Sequence, residues 1–221
     1  MIIRNINSFK SSKKEFLSKK EINKLMNEVY TKILKTKNLK KNKSIKFLQS
    51  RKIFDQEYYK LKKNNKKWSN IYNSFKNLKS HKRILEPKIR SYLKNKMKKK
   101  FSIVNSQLRI IEKSDKRSYP VHQELVTGKK NLIVFWIALH EIKKKEGGLV
   151  VYNKRINKEF KHLYNKMNYP YLDKQKKFKN NCKEKTFKKG EALILGKFIP
   201  HGTAPKLKGP PRWAAIVRIS T

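Results

Sequence analysis

His122 and Glu124 stand two residues apart, and His201 follows about eighty residues later, with Arg212 eleven residues beyond it. Residues i and i+2 of an extended strand face the same side, so His122 and Glu124 can grip one ion while Gln123 points away. Two imidazoles and one carboxylate make the facial set that holds a non-haem Fe(II) and leaves the opposite positions open for a co-substrate and molecular oxygen. With neutral imidazoles, such a site keeps a net charge of about +1 and attracts an anionic chelator. The planar fork of Arg212 suits bidentate capture of a carboxylate better than a lysine would. The expectation is a chain that binds iron and an oxo-acid.

These residues need strands to position them. Glu191 to His201 is rich in large apolar residues and reads as one strand delivering His201 at its end. Arg212 to Ser220 reads as the final strand, with Arg218 on the same face as Arg212. Arg218 is then a second carboxylate or substrate contact, or a structural ion-pair partner. Trp136, inside the apolar run Leu132 to Leu139, is read as barrel core or as a wall of the co-substrate pocket. Arg109 is a lesser pocket candidate. A lone histidine is more often surface or satisfied core than a ligand, and His81, His140 and His162 are read that way.

Four stretches, in this order, carry a resemblance: Tyr119-Pro-Val-His-Gln-Glu124, Asn131 to Leu139, Gly190-Glu191 through Pro200-His-Gly202, and Arg212-Trp213 to Arg218. Here the sequence resembles the phytanoyl-CoA-dioxygenase-like Fe(II)/2-oxoglutarate oxygenases. The Arg-Trp ending, with Arg218 after it, is similar to a smaller branch found beside carbohydrate-biosynthesis genes. The resemblance covers roughly the last hundred residues; the order and spacing of the motifs make it specific. It implies His122, Glu124 and His201 as iron ligands and Arg212 as the grip on the distal carboxylate of 2-oxoglutarate. It further implies oxidative decarboxylation of that co-substrate to succinate, coupled to hydroxylation of a small molecule, with a carbohydrate derivative as one substrate class. The usual carboxylate of the family is Asp, and Glu124 is longer by a methylene. A carboxylate at this position argues against a halogenase-type site.

Composition supplies a rival. A formal net charge of +44 on 221 residues would ordinarily point to a polyanion, and a basic nucleic-acid-binding or ribosome-associated protein is the second hypothesis. The excess is mostly Lys scattered through every segment alongside abundant Asn and Ile, the pattern of a codon bias towards A and T, whereas dedicated readers of nucleic acid favour Arg. Non-specific polyanion contact at low salt is the residual expectation. A third hypothesis is a metal-binding cupin, such as an isomerase or epimerase, needing no oxo-acid; the trailing Arg212 counts against it. The single cysteine, Cys182, excludes an internal disulfide framework and fits a reducing compartment. No apolar run can span a bilayer, and Met1 to Ser8 lacks a signal-peptide apolar region, so a cytoplasmic location is expected. Nothing in the sequence sets the oligomeric state.

The length and the 37% hydrophobic content suit one oxygenase domain over 1–221. Its first hundred residues read as helices packing on a barrel. Ser12-Lys-Lys-Glu15 can form a capping box, followed by Ile22, Leu25, Met26, Val29, Tyr30, Ile33 and Leu34 at helical spacing. Trp68, Ile71, Tyr72, Phe75 and Leu78 form a second stripe, and Pro87 can open a third helix carrying Ile89, Leu93 and Met97. Lys35 to Lys46 reads as a polar linker. From about Phe101, short apolar runs alternate with turn signals at Gly128 to Asn131, Gly147-Gly148 and Lys208 to Pro211. The fold class expected is mainly β with N-terminal helices, a double-stranded β-helix of jelly-roll or cupin type over 101–221. A basic insert at about 153–189 serves as a lid or as a disordered loop.

Overall fold

The computed structural model describes residues 8, 10–36, 51–64, 72–73, 75, 78–94, 96, 100–112, 120–125, 131–154, 156–165 and 170–220. The chain is mostly β-sheet with a few helices. Among the described residues the strands are β1 (Lys10–Lys13), β2 (Ser102–Ile111), β3 (Leu132–Ala138), β4 (Leu149–Tyr152), β5 (His162–Tyr164), β6 (Pro170–Leu172), β7 (Cys182–Glu184), β8 (Ala192–Gly196), β9 (His201–Thr203) and β10 (Arg212–Ser220). The helices are α1 (Lys19–Thr36), α2 (Arg51–Lys62), α3 (Glu86–Lys94) and α4 (Gln175–Asn180), with a π-helical turn at His81–Leu85 leading into α3.

A five-stranded antiparallel sheet runs β1-β8-β3-β10-β2, and a three-stranded one runs β7-β4-β9. Strand period decides what each face of the larger sheet meets. The odd members of β10, Trp213, Ala215, Val217 and Ile219, join Ile133, Phe135 and Ile137 of β3 in a core shared with the helices. The even members Ala214 and Ile216 join Val134 and Trp136 in a second core, which includes Leu149 and Val151 of the smaller sheet. Arg212 and Arg218 belong to this inner face. Trp213 is locked from outside by Phe54 and Tyr58 of α2, at ring-centroid distances of 4.9 and 5.6 Å. Adjacent Arg212 therefore projects to the opposite, inner side.

Several sequence expectations shift. The first helix begins at Lys19, and its capping box is Ser18-x-x-Glu21: Ser18 N–H donates to Glu21 Oε2 at 2.8 Å and Glu21 N–H to Ser18 Oγ at 3.3 Å. The sequence repeats Ser-Lys-Lys-Glu at 12 and 18; the first copy runs into the edge strand β1, where Ser12 pairs with Leu193 and its hydroxyl donates to Glu191 at 2.9 Å. Pairing to β8 outcompetes a cap there. Ile22, Leu25, Met26, Val29, Tyr30 and Ile33 are buried as expected, and Pro87 lies in the first turn of α3, with Ile89 and Leu93 buried. Phe75 and Leu78 are buried, while Trp68, Ile71, Met97 and nearly all of the Lys35 to Lys46 linker lie outside the described residues. Helix α2 falls in the part expected to be helical, but its apolar face, Phe54, Tyr58 and Leu61, was not among the stripes expected. The basic 153–189 segment is partly built into the fold, since β7 pairs with β4, β5 pairs with β6, and Phe178 of α4 packs with Val121 and Leu172.

Candidate metal centre

The expected strand from Glu191 to His201 is two strands. β8 ends at Gly196, Lys197 to Pro200 turn the chain, and His201 opens β9 in the smaller sheet. Pro200, which lacks an amide proton for ladder pairing, sits at that crossing. The segment carrying His122 and Glu124 is not a strand either. It is an extended piece held by one antiparallel bridge: His122 N–H donates to His201 O and His201 N–H to His122 O, each at 2.9 Å. Glu124 N–H donates to Lys197 O at 3.1 Å, completing the alignment. Alternation still operates, so His122 and Glu124 share a side while Gln123 turns away.

Gln123 is fully buried, and its amide is consumed by main chain. Nε2 donates to Lys158 O at 2.9 Å and Phe198 O at 2.8 Å, and Oε1 accepts from Phe160 N–H at 2.7 Å. The residue between the two candidate ligands thus staples their segment to the 197–200 turn and to the 153–165 excursion. Nothing in the spacing signalled that role beyond the alternation itself.

The ligand atoms of His122, Glu124 and His201 lie within 4.8 Å of one another, a grouping that could hold a metal ion. The rings are 4.6 Å apart, and Glu124 Oε2 is 3.8 Å from His201 Nε2. His122 Nδ1 bonds Pro120 O and His201 Nδ1 bonds Ile199 O, both at 2.9 Å. A carbonyl only accepts, so each Nδ1 carries the proton and each Nε2 is the lone-pair nitrogen. Burial, with the neighbouring His201 adding to it, drives the His122 pKa down to about 4, and burial likewise lowers that of His201. Burial would raise the Glu124 pKa, but Arg218, His122 and His201 outweigh it and the carboxyl is held below its ordinary value. Two neutral imidazoles and an ionised carboxylate are the protonation states a divalent metal needs, so this donor set fits one.

The cluster lines a cavity of about 430 Å3 whose wall includes Trp136, Arg109, Arg212 and Arg218. Arg212 is 1% exposed, and its guanidinium carbon lies 5.2 Å from the centre of the Trp136 ring, a cation–π contact within the cavity wall. Trp136 also stacks on Phe187 at 4.5 Å, so it is core and cavity wall at once. Arg218 goes to the cluster itself: its Nε donates to Glu124 Oε1 at 2.7 Å and its Nη1 to Asn105 Oδ1 at 3.2 Å. Gln107 and Thr203 line the same cavity; the alternation of polar side chains at 105, 107 and 109 along β2 was the signal available for Asn105 and Gln107. Outside it, His81 pairs with Ser106 Oγ, His140 accepts from Trp213 N–H at 3.0 Å, and His162 accepts from Gln123 N–H at 3.1 Å.

No helix among the described residues is long and apolar enough to cross a membrane. A family profile described as Phytanoyl-CoA dioxygenase (PhyH) matches residues 12–212, so the match extends beyond the last hundred residues into the helical part. No curated protein sequence matches the chain. Among solved structures, it is similar to apo ThoJ, described as a non-heme monooxygenase, at 12% identity and a TM-score of 0.62, over 98% of this chain and 76% of that one. The ThoJ–Ni complex matches over the same shares at 11% identity and a TM-score of 0.58. EvdO2 from Micromonospora carbonacea var. aurantiaca matches at 14% identity and a TM-score of 0.52, over 66% of each chain. At these identities the likeness is one of fold.

Proposed function

The chain belongs to the phytanoyl-CoA dioxygenase (PhyH) family, and on that premise we propose that it is an Fe(II)- and 2-oxoglutarate-dependent oxygenase hydroxylating a small molecule. The observation that carries this reading is the convergence of two imidazoles with fixed tautomers and one ionised carboxylate beside a buried arginine in a single cavity. Iron held by His122, Glu124 and His201 would supply the open positions for 2-oxoglutarate and oxygen, and the oxidising power for attack on a C–H bond.

The chain's own part is placement. His122 and His201 present Nε2 because Pro120 and Ile199 occupy Nδ1, and no proton has to be shed before a metal binds. Arg212, backed by Trp136, takes the distal carboxylate of 2-oxoglutarate through its fork; in a site this buried the charged hydrogen bonds face little competition from water. Arg218 stays with Glu124. The hydrogen-bonding groups of Gln107, Arg109 and Thr203 on the cavity wall support a polar substrate, of which a carbohydrate derivative is one class. The two sheets are read as the halves of a double-stranded β-helix, with the helices buttressing its outer face in one domain. The test is anaerobic titration of the purified protein with Fe(II) and 2-oxoglutarate, together with succinate release in air.

A further inference from the structure

Glu124 carries its carboxylate at the end of three rotatable bonds, so the carboxylate needs something to aim it. Arg218 supplies contacts at both ends of a short chain: Nε to Glu124 Oε1 at 2.7 Å and Nη1 to Asn105 Oδ1 at 3.2 Å. Asn105 is the cross-strand partner of Arg218 in the β2–β10 ladder, so the guanidinium is anchored to rigid sheet at its base and near its tip. Glu124 Oε1 is thereby committed to Arg218, and Oε2 is the oxygen turned to His201 Nε2, 3.8 Å away.

We propose that Arg218 is a positioning residue that fixes Glu124 as a one-oxygen metal ligand through Oε2, with Asn105 steadying the guanidinium. This rests on the metal reading given above and assigns Arg218 to the ligand shell in place of the co-substrate. Three physical effects act together. The fork restrains side-chain torsions that metal binding would otherwise have to freeze. It sets a positive charge against a carboxylate only 6% exposed, so the buried side chain has a fixed partner on one side. Occupying Oε1 also blocks two-oxygen chelation, leaving more of the coordination sphere open for a chelating oxo-acid.

The experiment titrates wild type, Arg218→Met, Arg218→Lys and Asn105→Leu with Co(II) alone, following affinity and the visible d–d spectrum. Arg218→Met should weaken Co(II) binding roughly ten- to a hundred-fold and change the spectrum as the carboxylate swings to a two-oxygen mode. Arg218→Lys should fall between, keeping the charge and losing the bridge. Asn105→Leu, at an exposed position, should lose about two- to five-fold, the worth of one exposed hydrogen bond. A purely structural Arg218 would lower the melting temperature and leave affinity and spectrum untouched; a folded Arg218→Met with wild-type values overturns the proposal. Should Arg218→Met not fold, wild-type behaviour in both other variants overturns it. If the wild type binds no Co(II), the metal reading itself falls and takes this with it; if it binds and the variants match it, only this proposal falls.

Discussion

At the residue scale, Arg212 and Arg218 show how two identical side chains six positions apart on one strand face divide their work. Arg218 donates to the Glu124 carboxylate at 2.7 Å, and Arg212 lies over Trp136 and lines the same cavity. Arg212→Ala should therefore leave Fe(II) binding near wild type and raise the 2-oxoglutarate requirement about ten- to a hundred-fold, since a charged hydrogen bond in a buried site is worth roughly 1.5–3 kcal/mol. Arg212→Lys should recover part of that loss. Isothermal titration of the co-substrate into iron-loaded protein measures both. The meeting of His122, Glu124 and His201, and the place of Arg212 on the same cavity wall, were legible in the sequence because strand alternation and the order of the segments limit which side chains can face one another. The partner of Arg218 was not, because which of several carboxylates an arginine reaches depends on the distance between chain segments that only the fold brings together.

At the element scale, sheet pairing overrode local signals in both directions. Ser12-Lys-Lys-Glu15 and Ser18-Lys-Lys-Glu21 offer the same cap, and β8 captured the first. His201 looks continuous with the apolar run before it, yet the chain leaves one sheet after Gly196 and enters the other. The apolar face of α2 is hidden in the sequence because Phe54, Tyr58 and Leu61 sit among charged residues, and it becomes obvious only against Trp213. The turn into β8 depends on Gly190, whose φ is +84° and where a Cβ would overlap the Leu17 carbonyl oxygen. That carbonyl cannot move freely, because Leu17 N–H donates to Gly190 O at 3.0 Å. Gly190→Ala should destabilise by about 2 kcal/mol or more, from the left-handed backbone and the overlap together. Urea unfolding should show a lower midpoint with an unchanged slope.

At the scale of the whole molecule, buried neutral imidazoles make the fold acid-sensitive. His81 is 2% exposed, and burial lowers its pKa from 6.5 to about 4; His122 is lowered to about 4 as well. In the unfolded chain both titrate near 6.5, so below that pH the unfolded state binds protons that the folded state refuses. The stability is complete above pH 6.5 and is lost as pH falls towards 4. Each histidine should contribute a loss on the order of 2 kcal/mol between pH 7 and pH 5. Unfolding at several pH values should give a shallower acid slope for His81→Leu than for wild type; equal slopes would contradict this assignment. The net charge of +44 dominates the composition but says little of the site, which is built from a handful of residues inside the fold.

The most direct test of the oxygenase reading is the joint binding of Fe(II) and 2-oxoglutarate under anaerobic conditions, in the wild type and in His122→Ala, Glu124→Ala and His201→Ala. Wild type should take up iron and then 2-oxoglutarate, and should release succinate when air is admitted. Each variant should lose the metal or bind it far more weakly, since two ligands hold a labile Fe(II) poorly against water, while His140→Ala should keep it. Iron affinity unchanged in all three variants, or a wild-type iron form that neither binds nor consumes 2-oxoglutarate, would contradict the account.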